Sequence, residues 1–512
     1  MYSFVLLVIG YRAISHIRSL EIKDICFVGM AWVLIVVIAQ KFSTTKMLES
    51  TIFTTLELII VWTAFLYLLK RNKLRKSILG GIALLICFCE VLLCDIQGIN
   101  ITQKNSNYIE NYDNYTEAIE TIHSKDNGFY REELTYLERR MDPSYFGYNG
   151  MSVFSSMAYE DYSQLQYSLG MFGNRINSYT YNTQTPVYNM MFNIKYLIQA
   201  PVSEDLSANL YRHIYTASDD KTKVYENKYF MPVAYAVNSE IKDWDTSEGN
   251  PFEVQADYFE KATGYSDVFT EVDYINTSFD NVKGDDVTNN GTYWFYKSIE
   301  DSNYGYADIT ISPTQSGSVY LYVNSADIKS LDYSSNGEHP QTQMLDQQPY
   351  ILDLGYHDAG EEILISLDIG SMEPSECYAD IFAYSLNEDV FRSGYNKLIE
   401  NSLNVTSHSD TSIIGDIYVS NDSYLYTSIP YDAGWSLYID GEKVNTIKIG
   451  DCMLGAQIDK GAHNIELKYS LRGLNYGIII TTATAACLIG YHIISKSKKK
   501  RLSLQEYPIK NQ

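Results

Sequence analysis

The chain has 512 residues, 46% of them hydrophobic, and a formal net charge of −24. So acidic a molecule repels polyanions through its mean field, which excludes nucleic acid as a partner. Its seven cysteines and eight histidines show no metal-ligand spacing, so no metal site is expected.

Four apolar stretches open the chain, at about Tyr2–Ile14, Ile25–Gln40, Thr51–Leu69 and Ile78–Leu93, and a fifth covers Tyr476–Ile494. A bilayer core needs about 20 mostly apolar helical residues. The first stretch is too short to span comfortably and reads as truncated; the others reach that length with their flanks. Lys70, Arg71, Lys73, Arg75 and Lys76 lie between the third and fourth, and Lys496 to Arg501 follow the fifth. Both clusters are expected on the cytoplasmic side. Residues about 97–473 then lie outside the cell membrane, held by multi-pass spans, and the tail is cytoplasmic. Counting back places Met1 outside without the plan of a signal peptide. That reads as the back end of a longer membrane protein or a displaced start, with a short signal anchor as the alternative.

Two acids fall inside the spans. Glu57 lies early in a helix entering from outside, and Glu90 late in one that leaves, so both belong near the outer leaflet. Ionisable groups at such depths often mark a site or a path. They could hold a cation, a divalent one included, beside a lipid phosphate, or they could snorkel to water. No other cofactor is identified.

The intervening region is too long for one ordinary domain. Residues 1–96 hold about four N-terminal membrane helices, and 97–235 read as a mixed α/β domain with a helix over Tyr108–His123 and a strand over Arg131–Arg140. Residues 236–285 read as a connector with a short helix near Phe252–Thr263. Period-two alternation then takes over, as in Tyr306–Ser312, Ser318–Val323, Glu362–Asp368 and Tyr378–Tyr384. It implies a β-sandwich module over 286–400, closed by a helix over Tyr395–Leu403, and a second β module over 401–473. Asp440-Gly441 between two strands is a hairpin turn, since glycine takes positive φ without a Cβ clash. A membrane helix over 474–495 and a basic tail over 496–512 complete the order. The fold class is therefore a multi-pass α-helical membrane protein with a large extracellular α+β region, its β modules sandwich-like or jelly-roll-like.

Several polar and aromatic groups could carry binding. Tyr148, Asn149, Ser152, Ser155 and Ser156 form a dense cluster suited to hydrogen-bonding glycans, or to satisfying turn backbones. Asp432 and Trp435 could form a sugar-binding edge, or end a strand and fill a core. Arg131, Arg139, Arg140, Arg175, Lys195 and Arg212 bring positive charge to the first outer domain, where an anionic polymer would dock. The 46 tyrosines suit sugar stacking and interfaces, and they equally suit half-buried strands. Cys377 and Cys452 are the two cysteines outside the apolar stretches, and their pairing is open.

Three ordered blocks carry a family resemblance. Pro430-Tyr-Asp-Ala-Gly-Trp435, Tyr438-Ile-Asp-Gly-Glu-Lys443, Gly461-Ala-His463 and the last apolar span form one. Tyr148-Asn-Gly150, Phe154-Ser-Ser156, Leu169-Gly170, Asn174, Thr185-Pro186 and Asn193–Ile198 form the second, and Val224–Asn227 with Asn250-Pro-Phe252 the third. In this order they closely resemble the C-terminal part of the bacterial YfhO-type membrane proteins. The resemblance implies a glycosyltransferase of the GT-C type, moving a sugar from undecaprenyl phosphate onto an anionic cell-surface polymer such as lipoteichoic acid. A lipid-linked donor suits a reaction outside, where nucleotide sugars are absent. Family members are longer, and GT-C enzymes keep a catalytic acid in their first external loop. That part has no counterpart here, so no catalytic residue carries over and a partner would have to supply the missing spans. The alternative is a non-catalytic surface protein whose β modules bind cell-wall glycan or support a membrane subunit. A transporter is weaker, with too few spans for an inverted repeat.

Overall fold

A computed structural model describes residues 2–17, 19–42, 49–71, 74–101, 109, 111–136, 139–199, 206–247, 249–286, 291–297, 305–325, 327–335, 340–345, 349–369 and 376–505. The chain forms two compact units, Met1–Glu110 and Asn111–Gln512.

The first unit holds helices Tyr2–Ser15, Ile22–Phe42, Glu49–Arg71 and Lys76–Ile101. Ile22–Phe42, Glu49–Arg71 and Lys76–Ile99 are long and apolar enough to cross a membrane, as is Leu474–Ser497 at the end of the second unit. The 14-residue first helix is not. Lipid offers no hydrophobic drive for helix pairing, so small and polar residues must supply it. Gly29 does so on the second helix, where an added Cβ would lie 2.7 Å from Thr63 Oγ1. Trp62 Nε1 donates to Glu90 Oε2 at 2.8 Å, and Gln97 Nε2 to Thr54 Oγ1 at 2.9 Å, joining the third and fourth helices.

The second unit is rich in sheet. Helix Tyr112–Lys125 buries Tyr115, Ala118, Ile119 and Ile122 at helical spacing against a four-stranded sheet. That sheet runs in the order Arg131–Leu134, Ile194–Gln199, Lys223–Asn227, Tyr211–Thr216. The strand expected to reach Arg140 stops at Leu134 and gives way to a short helix at Asp142–Phe146. Past this layer, helix Pro251–Thr263 starts in a capping box, Asn250 accepting from Glu253 N while the Glu253 side chain accepts from Asn250 N.

Two sheets then enclose one apolar core. One contains Asp273–Asp280, Tyr306–Ser312, Ile363–Asp368, Ser330–Ser335 and Gln341–Met344. The other contains Val282–Asp286, Thr292–Lys297, Glu376–Leu386, Gly317–Asn324 and Ile351–His357, with Phe269–Glu271 beside Glu376–Leu386. Ile309, Ile311, Leu321, Ile365 and Ile381 fill the space between them. Period-two alternation is what sends these residues inward.

Helix Glu388–Ile399 follows, beginning earlier than the spacing around Tyr395–Leu403 predicts. Asn387 caps it by accepting from Val390 N. Its end is set by pairing: Leu403 N donates to Ala234 O and Ala236 N to Asn401 O, which takes 401–403 out of helical geometry. The last β body has a five-stranded sheet from Asn404–Ser409 to Glu442–Lys443 and a four-stranded one. The four-stranded sheet recruits Ala234–Val237, paired antiparallel to Ser423–Pro430. The hairpin at Asp440-Gly441 forms as its residues dictate, both taking positive φ (54° and 83°). Cys377 is buried in the double-sheet core and Cys452 in a separate core under the helices, both as free thiols.

Candidate functional site: an aromatic and carboxylate groove

Strands Gly317–Asn324 and Glu376–Leu386 pair with Tyr322 opposite Phe382 and Asn324 opposite Asp380. Val323, Ile381 and Ala383 enter the double-sheet core, so the alternate residues Tyr322, Asn324, Asp380, Phe382 and Tyr384 face the other way. These form one wall of a groove of about 1090 Å³. Helix Glu160–Ser168 supplies the facing wall through Asp161, Gln164 and Tyr167. The capped start of Pro251–Thr263 adds Asn250 and Glu253, and the last β body adds Lys448, Gly450 and Asp451.

The polar groups are held in place. Arg175 sits at positive φ (63°) and lays its guanidinium 3.8 Å from the centre of the Tyr167 ring. That stack is a cation–π contact. Asp380 accepts from Thr292 Oγ1 at 2.8 Å and from Asn324 Nδ2 at 3.1 Å. Asn250 Nδ2 donates to the Tyr384 hydroxyl at 3.2 Å, and Lys448 Nζ to Asp161 Oδ2 at 2.8 Å. Desolvation, then the neighbouring Glu253 carboxylate, raises the Glu271 carboxyl above its usual range. The site thus sets half-buried rings (Tyr167, Phe382 and Tyr384) beside hydrogen-bonding groups, in a hollow with more carboxylates than cations. It suits a ligand with apolar ring faces and many hydroxyls. Among the described residues no three His, Cys, Asp or Glu side chains converge as metal ligands.

The sequence-predicted cluster lies elsewhere. Tyr148, Asn149 and Ser152 line a smaller hollow of about 320 Å³. Tyr148 and Ser152 are buried there around Glu133, which accepts from Met151 N, from Ser152 N at 3.0 Å, from Ser152 Oγ at 3.3 Å and from Tyr148 Oη at 3.4 Å. Ser155 accepts from Met157 N at 3.1 Å in a turn, and Ser156 is exposed. Arg139 stacks on Tyr145 and Phe146 and pairs with Asp142 at 3.7 Å, while Arg140 lies 5.9 Å from the Phe154 ring centre. Asp432 accepts from Gly434 N and from the Tyr159 hydroxyl, and Trp435 packs on Tyr469 with ring centres 5.1 Å apart. Neither Asp432 nor Trp435 lines either hollow. In the first unit Glu57 is exposed on its helix and Glu90 receives the Trp62 indole. Of the other cations named above, Lys195 pairs with Asp126 and Arg212 with Glu226, while Arg175 reaches the groove.

Sequence reasoning passed over Tyr167, Tyr322, Asp380, Phe382, Tyr384 and Lys448. A signal was present in Tyr378–Tyr384, where the outward positions are Tyr, Asp, Phe and Tyr. A merely solvated strand face would not carry three aromatics in four.

Burial raises the Glu133 carboxyl to about 7, against the pull of its four donors. The folded protein therefore keeps this proton where the unfolded chain has lost it. Its contribution is complete below the ordinary glutamate range and disappears as pH rises through about 7. We predict that Glu133→Gln removes about 2.5 kcal/mol of the stability loss seen between pH 5 and pH 8. Melting curves across that interval with the same slope in wild type and variant would contradict it.

Among solved structures, a family two carbohydrate esterase from Cellvibrio japonicus overlaps 22% of this chain and 33% of its own, at 11% identity and a TM-score of 0.15. A low-affinity xylan binding module, CBM86, from Roseburia intestinalis overlaps 25% of this chain and 95% of its own, at 14% identity and TM-score 0.16. The arabinofuranosyltransferase AftD from mycobacteria overlaps 60% of this chain and 29% of its own, at 8% identity and TM-score 0.16. The chain thus spans about a third of the esterase and less of the transferase. No curated protein matches the sequence. The profile of the bacterial membrane protein YfhO matches residues 1–481, nearly the whole chain, and the chain belongs to that family.

Proposed function

We propose that this chain serves a lipid-carrier-dependent glycosyltransferase of the cell surface, in which an undecaprenyl-phosphate-linked sugar is moved to a polymer such as lipoteichoic acid. Residues about 97–473 would lie outside, multi-pass helices would hold them to the membrane, and the groove would receive the sugar-bearing part of a glycan. The observation that carries this reading is the groove itself: Tyr167, Tyr322, Phe382 and Tyr384 beside fixed amide and carboxylate groups, in a member of a membrane-protein family. No catalytic base is assigned. Glu57 and Glu90 remain candidates for holding a cation beside the carrier phosphate. The rival reading, a non-catalytic glycan-binding protein, shares the groove but predicts a different cell.

Deleting the gene should abolish glycosylation of the surface polymer, measured by mass spectrometry of the extracted polymer. Wild type should restore it, and Tyr167→Ala should restore about a tenth as much, a loss of about 1.4 kcal/mol of recognition. A deletion strain with unchanged polymer but reduced glycan binding would favour the rival.

A further inference from the structure

The groove is not the end of its aromatic wall. Strand Thr292–Lys297 pairs with the far side of Glu376–Leu386, placing Thr292 opposite Asp380, Trp294 opposite Tyr378 and Tyr296 opposite Glu376. Tyr293, Phe295, Cys377 and Ala379 enter the double-sheet core, so Thr292, Trp294, Tyr296, Glu376, Tyr378 and Asp380 share the outward face with the groove wall. At one end that face is covered, with Tyr320 fully buried beneath the helices. Tyr322 is still buried at the groove floor, Phe382 and Tyr384 are half-buried along its wall, and the face then runs into the open, where Tyr378 is 61% exposed. Trp294 and Tyr296 stand two residues apart, half-buried and stacked on each other, with ring centres 6.1 Å apart and planes 24° from parallel, beside the exposed ring of Tyr378.

We infer that this face is a carbohydrate track continuous with the groove, and that its occupant is an extended strand of uncharged sugar residues. The inference rests on the glycan reading of the groove and adds the chemical class and the extent of the ligand. From Tyr384 to Glu376 the strand covers about 27 Å at about 3.4 Å per residue, room for several rings in a row. A protein partner would call for a contiguous apolar patch depleted of charge at its centre. Here the aromatic pairs are interrupted by Asp380, Asn324 and Thr292, hydrogen-bonded to one another and fixed in position. That alternation matches a ligand whose apolar ring faces are separated by polar edges.

Charge decides between a neutral and an anionic strand. Asp161, Glu253, Glu271, Asp380 and Asp451 border the groove with Arg175 and Lys448, and Glu376 continues the track. Lys283 lies opposite Tyr296 at the far end. The excess of carboxylates disfavours a phosphodiester backbone. The track would take the sugar-bearing part of the surface polymer, and a phosphodiester main chain such as that of lipoteichoic acid would lie outside it.

The test uses the full-length chain in nanodiscs and neutral hexose and N-acetylhexosamine oligomers of two to eight rings, with poly(glycerol phosphate) as the anionic probe. Affinity should rise with oligomer length. Trp294→Ala combined with Tyr378→Ala should weaken the longest oligomers about tenfold and leave the two-ring ones unchanged. Both side chains lie outside the core, so the melting midpoint should be retained. Tyr167→Ala, in the groove, should weaken every length. If only Tyr167→Ala weakens binding, the track is wrong and the groove reading survives. If neither variant changes binding, or no neutral oligomer binds, the groove reading goes with it. Tighter binding of poly(glycerol phosphate) than of any neutral oligomer would overturn the assigned ligand class. A concentration-dependent dimer abolished by the double variant would show instead that the face meets a second copy of the chain.

Discussion

Replacing Arg131 with Met should destabilise the second unit by about 3–5 kcal/mol, because hydrogen bonds from a charged donor contribute about 1.5–3 kcal/mol each and do not add fully. Arg131 begins the first strand of the four-stranded sheet, yet its guanidinium is spent on distant chain. Nη1 donates to Phe192 O at 2.9 Å and to Ser428 Oγ at 3.0 Å, and Nη2 donates to Ser428 O at 2.9 Å. One side chain therefore ties the α/β layer to a strand of the last β body, across 297 positions of sequence. Tyr162, Tyr179 and Tyr426 are close enough to feel the cation, which opposes the upward push of burial on their hydroxyls. Methionine fills similar volume but leaves the two carbonyls without this donor. Lysine would keep the charge but not the planar fork, and should recover only part of the loss. Urea titration of the three proteins gives the order; a Met variant as stable as wild type would mean that those carbonyls find other donors.

Gly394→Leu should be comparably severe, at about 3 kcal/mol or more, because overpacking a closed site forces backbone shifts. Gly394 lies on helix Glu388–Ile399 where it meets helix Pro251–Thr263. A Cβ there would stand 2.2 Å from Phe259 Cζ, and Phe259 is fully buried and stacked on Phe391. The ring cannot swing into water, so the two helices would have to part. Gly394→Ala should already destabilise. Adding Phe259→Leu should relieve part of that cost, so the pair should be less damaging than the sum of its members. Strict additivity in a double-mutant cycle, read by thermal melting, would show that the crossing has slack.

Some of this architecture was legible without coordinates. An apolar run is a local property, so the span-length helices and the basic clusters beside them could be read directly. The same holds for Tyr306–Ser312 and Ser412–Val419, where alternation at period two records a half-buried strand face, and for the turn at Asp440-Gly441. Each of these signals is complete within a few neighbouring residues.

Other features depend on which distant segments meet. Ala234–Val237 straddles the expected boundary between the mixed domain and the connector, but it completes a sheet with Ser423–Pro430. Helix Glu388–Ile399 stops where it does because residues 401–403 hydrogen-bond to that same inserted strand. Ser152 and Tyr148 belong to a polar cluster whose residues suit glycans or turn backbones alike; the fold turns these two inward around Glu133, whose burial no local pattern announces. The sequence by itself determined the apolar helices, the run of strands and the acidic balance, since periodicity and charge need no partner to be read. Only the tertiary structure decided that Tyr167, Asp380 and Lys448 border one groove and that Arg131 is a clamp. Pairing across hundreds of residues is selected by the packing of whole faces, and no short window of the chain contains both halves of that choice.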